Sequence, residues 1–338
     1  MNKQPVSIHQ TLSAKARKVK RMRTFCTIIT SNYLPYAVTL FRSLQEHSAA
    51  DSLYVLICDE SEYEKSLVPA EKLHILQISQ LYHFGYTDFL LNTYHTRPDA
   101  LRWSMKPVLI HYLLDQGYEK VIFLDCDIFF VNDCKFLFDE LDQTSVLLTP
   151  HWTTPDPQER ESDFLAFFNY GAFNAGFIGA TRRGIPALEW WAAACRYGIE
   201  VNHAKGLHVD QKYLDALPVF FEDVKILRHK GCNISFWNQH VCRRVLVNGE
   251  VKINGIYPVV FIHFNRNYIP ELLEGHDREL FPYFNQFRKT FEKTGYTLGQ
   301  FIAGLPAYSA PSKLARIKYR LRIRTRIKNW LFRLSKSL

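Results

Sequence analysis

No Cys-x-x-Cys pair occurs in the 338 residues; the seven cysteines stand singly at 26, 58, 126, 134, 195, 232 and 242. An odd count without paired spacing excludes a disulfide frame and a zinc ribbon, and points to reduced thiols in a cytosolic compartment. No stretch reaches 18 apolar residues, so no transmembrane helix is expected. Residues 1–23 are polar and basic, with Lys15, Arg17, Lys18, Lys20, Arg21 and Arg23, and lack the apolar core of a secretory signal. There is no G-x-G-x-x-G and no P-loop lysine motif, which removes the usual sequence basis for dinucleotide or ATP binding. No Asp or Glu follows Glu292. Residues 293–338 hold eleven Lys or Arg, so the rest of the chain carries about −2 of the net +9. The basicity belongs to a tail and not to a central groove, which argues against nucleic acid as a partner.

What is present is a globular α/β pattern. Hydrophobic residues make up 47% and aromatics 14%, with 25 Phe and 18 Tyr, enough for one large core or two domains. Phe25–Thr30 reads as a first strand. It breaks at Thr30-Ser31-Asn32-Tyr33, and Pro35 then opens a helix with Leu40, Phe41 and Leu44 on one face. Tyr33 could stack on a base or simply cover the sheet edge. Leu53–Cys58 and Leu73–Ile78 are further strands, and residues 80–98, with Tyr82, His83, Phe84, Tyr86, Tyr94, His95 and Arg97, read as a loop with short helices near the active site. A helix is expected over Ala100–Asp115, with Pro107 kinking it or marking a fresh start just after Lys106. Val146–Leu148, Val224–Leu227 and Val259–Ile262 read as strands, residues 153–163 as a mobile loop, Pro186–Cys195 and Tyr213–Leu217 as helices, and Val245–Ile256 as a hairpin.

The stretch that organises the chain is Val121-Ile-Phe-Leu-Asp125-Cys126-Asp127-Ile-Phe-Phe130. The apolar run is too short for an independent helix and reads as a buried strand, with two carboxylates at the end where open parallel sheets place their ligands. Strand geometry sets Asp125 and Asp127 on one side. With no Lys or Arg beside them in this stretch, their repulsion is relieved by a divalent cation, and oxygen donors suit magnesium or manganese. Two rival readings are a pair of solvated loop aspartates and a phosphatase-type nucleophile. The second wants a small group such as Thr where this chain has Phe129. Two further positions stand out. Asn174 lies in Phe168–Gly179, where Gly171 and Gly176 permit close backbone approach to a ligand; it could meet a sugar hydroxyl, or the segment is a plain turn before a core strand. His263 ends the last apolar strand, as a third metal ligand or as a structural residue.

Taken together, these pieces resemble the metal-dependent GT-A glycosyltransferases, in particular the glycogenin and bacterial lipopolysaccharide galactosyltransferase group. "GYEKVIFLDCD" looks like the metal and diphosphate motif, "TIITSNYLPYAVTLFRSL" like the first nucleotide-binding unit, "FNAGFIG" like the sugar-binding segment and "FIHF" like the late histidine. "GLHVDQKYLDALPVFFEDVKILRHKGCNISFWN" is similar to a glycosyltransferase domain widespread in bacteria. The resemblance covers residues 24 to about 270 and implies one GT-A-like domain with a mostly parallel sheet. It implies that Asp125, Asp127 and His263 hold Mn2+ or Mg2+; that Thr30, Asn32, Tyr33 and Lys106 meet the nucleotide sugar; that Asn174 lines its sugar; and that Asp210 and Gln211 act at the anomeric centre. Two positions depart from the pattern. Asn265-Arg266 stands where the family has glycine and lysine, and Thr30-Ser31-Asn32 where it often has aspartate.

The division expected is a basic lead-in (1–22), a transferase domain (23–270), an extension (271–311) and a basic tail (312–338). From Arg316 to Lys328 basic and non-basic residues alternate, and a helix would gather Tyr319, Ile323, Ile327, Trp330, Leu331, Leu334 and Leu338 into a stripe. Such a helix could lie on an anionic membrane surface. The function expected is metal-dependent, retaining transfer of a hexosyl or N-acetylhexosaminyl group from a nucleotide-diphosphate sugar, a UDP-sugar above all, to a glycan or lipid-linked acceptor in surface glycan synthesis. It would take place in the cytoplasm at the inner face of the membrane. The alternative is a non-catalytic sugar-nucleotide or glycan-binding protein on the same fold.

Overall fold

The computed structural model describes residues 23–49, 51–69 and 71–304; the expected lead-in and tail, 1–22 and 312–338, lie outside them. The chain opens with β1 (Arg23–Ile29), α1 (Leu34–His47), β2 (Leu53–Ile57), β3 (Leu73–Gln77) and α2 (Thr87–Tyr94). It continues through α3 (Pro98–Ser104), α4 (Lys106–Asp115), β4 (Lys120–Leu124), β5 (Ile128–Phe130), α5 (Phe136–Asp139), β6 (Val146–Pro150), α6 (Glu161–Tyr170), β7 (Phe173–Thr181) and α7 (Ile185–Tyr197). A seven-stranded sheet runs in the order Val224–Ile226, β6, β7, β4, β1, β2, β3. It is parallel except at β7, which runs antiparallel to both β4 and β6. The mostly parallel α/β sheet of the sequence reading is therefore the one observed.

The sequence of β4 explains its central place. Val121 and Phe123 join the core on the α4 side, with Leu109 and Leu113; Ile122 and Leu124 join the core on the α1 side, with Tyr36 and Phe41. Alternate residues of one strand serve two cores, so an unbroken apolar run is needed where a one-sided sheet would show alternation.

Beyond Leu124 the chain leaves the sheet. The amide of Asp125 still donates to Gly176 O on β7 at 2.8 Å, a tight turn follows, and β5 then pairs antiparallel with Phe261–His263. In that register His263 faces Ile128. Phe264 N also donates to Asp127 O at 2.8 Å. A small second sheet thus draws together segments more than 130 positions apart in sequence.

Several elements differ in detail from their expected form. The helix expected over Ala100–Asp115 is two helices. α3 ends at Ser104 and α4 restarts at Lys106, with Pro107 in its first turn, where the missing N–H has no helical partner to lose. The loop expected over 153–163 gives way at Glu161 to α6. Tyr213–Leu217 lies in a 3-10 turn, Gln211–Ala216, that runs into a short α-turn, Leu217–Phe220. The helix Phe281–Glu292 packs on α1, where Tyr36 and Phe291 have ring centroids 5.1 Å apart, and on the residue after the Phe261–His263 strand, where Phe264 and Phe287 are 4.7 Å apart. Residues 281–292 therefore share the core of the sheet. Among the described residues no helix is long and apolar enough to cross a membrane.

Candidate active site

A cleft of about 920 Å³ opens at the carboxyl ends of β1 and β4. Thr30, Asn32 and Tyr33 line it from the turn after β1, Lys106 from the head of α4, and Asp125 and Asp127 from the turn after β4. Six of the sequence-selected residues therefore meet in one space. The other four, Asn174, Asp210, Gln211 and His263, are gathered behind the Asp125 end.

His263 Nε2 lies 2.7 Å from Asp127 Oδ1 and 3.9 Å from Asp125 Oδ2. One ligand atom from each of the three residues falls within 4.8 Å of the others. Burial works against charge here. Even so, the imidazole holds the Asp127 carboxyl below its usual range, and Asp127 holds the imidazole above its own. Gly176 faces the same space. A Cβ on it would fall 2.6 Å from Asn174 Oδ1, 2.7 Å from His263 Cε1 and 2.9 Å from Asp125 Oδ2. The close approach that a glycine allows here is made by three side chains of the site. Two carboxylates and an imidazole around a space kept clear by glycine fit a divalent cation of the manganese type.

Behind this cradle is a buried ion-pair triad. Lys106 Nζ stands 3.1 Å from Asp125 Oδ1 and 3.3 Å from Asp210 Oδ2, and donates to Ala175 O at 3.0 Å. The side chains of Lys106 and Asp210 are 5% and 2% exposed. Burial opposes the Lys106 charge, but Asp125 and Asp210 outweigh it and raise its pKa. Burial pushes Asp210 up to about 6 in spite of Lys106. The sequence reading had no cation beside Asp125; α4 supplies one because its restart aims the first side chain inward.

Asn174 and Gln211 form the opposite wall. Asn174 Oδ1 accepts from Gly176 N at 2.9 Å, and its Nδ2 lies 3.2 Å from His151 Nε2. Gln211 is committed to backbone: its Oε1 accepts from Ala175 N at 3.1 Å and its Nε2 donates to Tyr170 O at 3.0 Å. Whatever it does for a ligand it does by holding Asn174 and β7. His151 also approaches Gly171 O through Nδ1 at 2.9 Å, and burial lowers its pKa to about 4, so it is neutral.

Arg97, from the stretch expected near the site, lines the cleft. The sequence reading missed the rest of this rim: Arg102 and Trp103 reach the cleft from α3, and Asp59 reaches it from the end of β2. The Arg102 guanidinium lies 4.9 Å over the Tyr33 ring and pairs with Asp99. Asp59 accepts from Ser31 N at 3.1 Å and from Ser31 Oγ at 2.9 Å, tying the β1 turn to β2. For these the signal was indirect: Arg102 and Trp103 stand shortly before Lys106, and Asp59 follows an apolar strand as Asp125 does.

Residues 26–181 match the model of glycosyl transferase family 8. Over those residues the chain is similar to the glycosyltransferases of family 8. The match takes in the β1 turn, Lys106, both aspartates, Asn174 and Gly176, and the observed sheet is that of the GT-A fold. A glycosyltransferase family of this kind implies a nucleotide-sugar donor and an acceptor. Two proteins of Bacillus subtilis (strain 168) are similar to this chain. Uncharacterized protein YfnF is 27% identical over 248 residues, covering 71% of this chain and 80% of its own length. Uncharacterized protein YfnD is 27% identical over 250 residues, covering 71% and 76%. Both alignments extend past the family match.

Proposed function

We propose that this family 8 glycosyltransferase moves a hexosyl or N-acetylhexosaminyl group from a UDP-sugar to a glycan or glycolipid acceptor, with retention of anomeric configuration and dependence on Mn2+. The observation that carries the reading is the Asp125–Asp127–His263 cradle, closed by Gly176 at the end of a cleft large enough for a nucleotide. Asp125, Asp127 and His263 would hold the ion, which when bound neutralises charge on the donor diphosphate.

The chain's own groups do the rest. Thr30, Asn32 and Tyr33 receive the nucleoside end; Thr30 Oγ1 donates to Asn32 Oδ1 at 2.6 Å, which orients the Asn32 amide. Lys106 holds Asp125 and Asp210 in place and adds positive charge behind the departing diphosphate. Asp210 supplies fixed negative charge in a buried site, where it can orient sugar hydroxyls and favour the cationic anomeric carbon. Gln211 steadies Asn174, which meets the sugar. Residues 312–338 would hold the enzyme to an anionic membrane surface at the cytoplasmic face, each basic residue near the surface contributing about 1 kcal/mol. That location suits a lipid-linked acceptor.

The test is a panel of nucleotide sugars with and without Mn2+, reading release of nucleoside diphosphate. Metal-dependent release from one donor, absent in Asp127→Ala, is the expected result. Failure of every donor to turn over or bind would sink the reading.

A further inference from the structure

Tyr33 lines the donor cleft and is half-buried. The Arg102 guanidinium lies 4.9 Å over its ring, and Arg102 is held in turn by Asp99. A segment far along the chain supports the same ring. Phe301 meets it nearly edge-on, with ring centroids 5.7 Å apart at an interplanar angle of 80°. Phe301 belongs to the helix Leu298–Gly304, well beyond residues 26–181, over which the chain is similar to family 8.

That helix has anchors of its own. Leu298 is buried in the main core, and the Phe301 ring lies 5.2 Å from Tyr36 and 5.4 Å from Phe291 between centroids. Phe301 N donates to Thr297 O at 3.0 Å, and just ahead of the helix the Tyr296 hydroxyl donates to Glu64 Oε2 at 3.3 Å. Tyr33, by contrast, ends a single 3-10 turn, Ser31–Tyr33, closed by its N–H to Thr30 O at 2.8 Å. One turn gains little from its own hydrogen bonds, so packing from outside decides where the ring stands.

A second cavity, of about 440 Å³, adjoins the donor cleft. Phe301 is in its wall, Tyr33 is in the wall of the cleft, and Asn32 lines both. Without the Phe301 ring the second cavity widens beside Tyr33, and the tyrosine has room to swing out of the cleft. We infer that Phe301 is a positioning residue for donor binding: it holds the Tyr33 ring, with Arg102 over it, where the nucleoside end of the donor arrives. This rests on the transferase reading above and extends the donor site to a helix outside the residues that resemble the family.

The experiment uses the full chain and Mn2+, with calorimetric titration of UDP and steady-state turnover of the UDP-sugar found by the panel. Phe301→Leu keeps apolar bulk and removes the ring; Phe301→Tyr keeps the ring. Expected for Phe301→Leu are a UDP Kd and a donor KM each raised about fivefold, the size of one lost aromatic contact. Its kcat and its binding of Mn2+ alone should stay within about twofold of wild type, and Phe301→Tyr should restore the Kd. In a Tyr33→Leu background Phe301→Leu should add nothing, because the two side chains act as one. An unchanged UDP Kd in Phe301→Leu overturns the inference. So does a full effect that persists without Tyr33, and so does a fall in kcat and Mn2+ binding alongside the Kd, which would make Phe301 a general support of the fold. Wild-type protein that binds no UDP overturns the transferase reading and this inference together, whereas the other outcomes overturn the inference alone.

Discussion

Lys106 and Asp210 lie 3.3 Å apart in the wall behind Asp125, both shut away from water. Removing one charge strands the other. Lys106→Met is expected to lower stability by about 3 kcal/mol. Joining it to Asp210→Leu recovers part of the loss, because no unpaired charge then stays buried, while turnover stays absent in both variants. Thermal unfolding and nucleoside diphosphate release read the two effects. A single variant as stable as wild type would show that the pair is not buried as described.

The cradle is expected to respond as a unit. Asp127→Asn or His263→Gln should weaken Mn2+ binding by more than the roughly 10–100-fold typical of losing an outer partner, because a ligand is removed outright. Calorimetric titration with Mn2+ alone checks this without any substrate. Wild-type affinity in both variants would dissociate these residues from the metal.

Gly176→Ala tests the cleared space. Its Cβ would meet Asn174, His263 and Asp125 at 2.6–2.9 Å, so at least two of them must shift. We expect loss of Mn2+ binding and of transfer with a far smaller change in unfolding temperature. Normal metal affinity in this variant would mean the cradle has slack.

His151 links the site to acid stability. Burial holds its folded pKa at about 4, below the usual 6.5. As pH falls from 6.5 towards 4 the unfolded chain takes up a proton that the folded chain refuses, so stability falls through that window and is intact above it. The expected loss at pH 5 is about 2 kcal/mol. His151→Gln should flatten this part of the profile of unfolding temperature against pH, and an unaltered slope would contradict the assignment.

The helix Phe281–Glu292 makes a fifth case. Phe287 contacts Phe264, Phe129 and Phe291 within the main core. Phe287→Ala is expected to cost about 3–5 kcal/mol. A negligible change by denaturant unfolding would mark residues 281–292 as a separate unit.

The candidate site was legible wherever its signal was local. Asp125 and Asp127 follow an apolar run that only a doubly covered strand needs, and the break after β1 places Thr30 to Tyr33 at a strand end. α6 was harder to see. None of its residues is buried, so Phe164, Leu165, Phe167 and Phe168 show no single apolar face, and the polar stretch before them masked its start. The division of α3 from α4 was visible in Pro107 but its consequence was not, since the inward aim of Lys106 depends on the sheet beneath it.

Short-range chemistry in the sequence alone thus determined the strand–turn–helix order, the buried β4 and the two carboxylates at its end, because side-chain period and proline or glycine breaks act over a few residues. Tertiary structure decided what those carboxylates meet. The pairing of Phe261–His263 with β5 brings an imidazole to Asp127, the packing of α4 brings Lys106 between Asp125 and Asp210, and β7 lays Gly176 and Asn174 alongside. Those contacts join segments tens to more than a hundred positions apart in sequence. They exist only once burial of the two cores has fixed the sheet order, which no local pattern encodes.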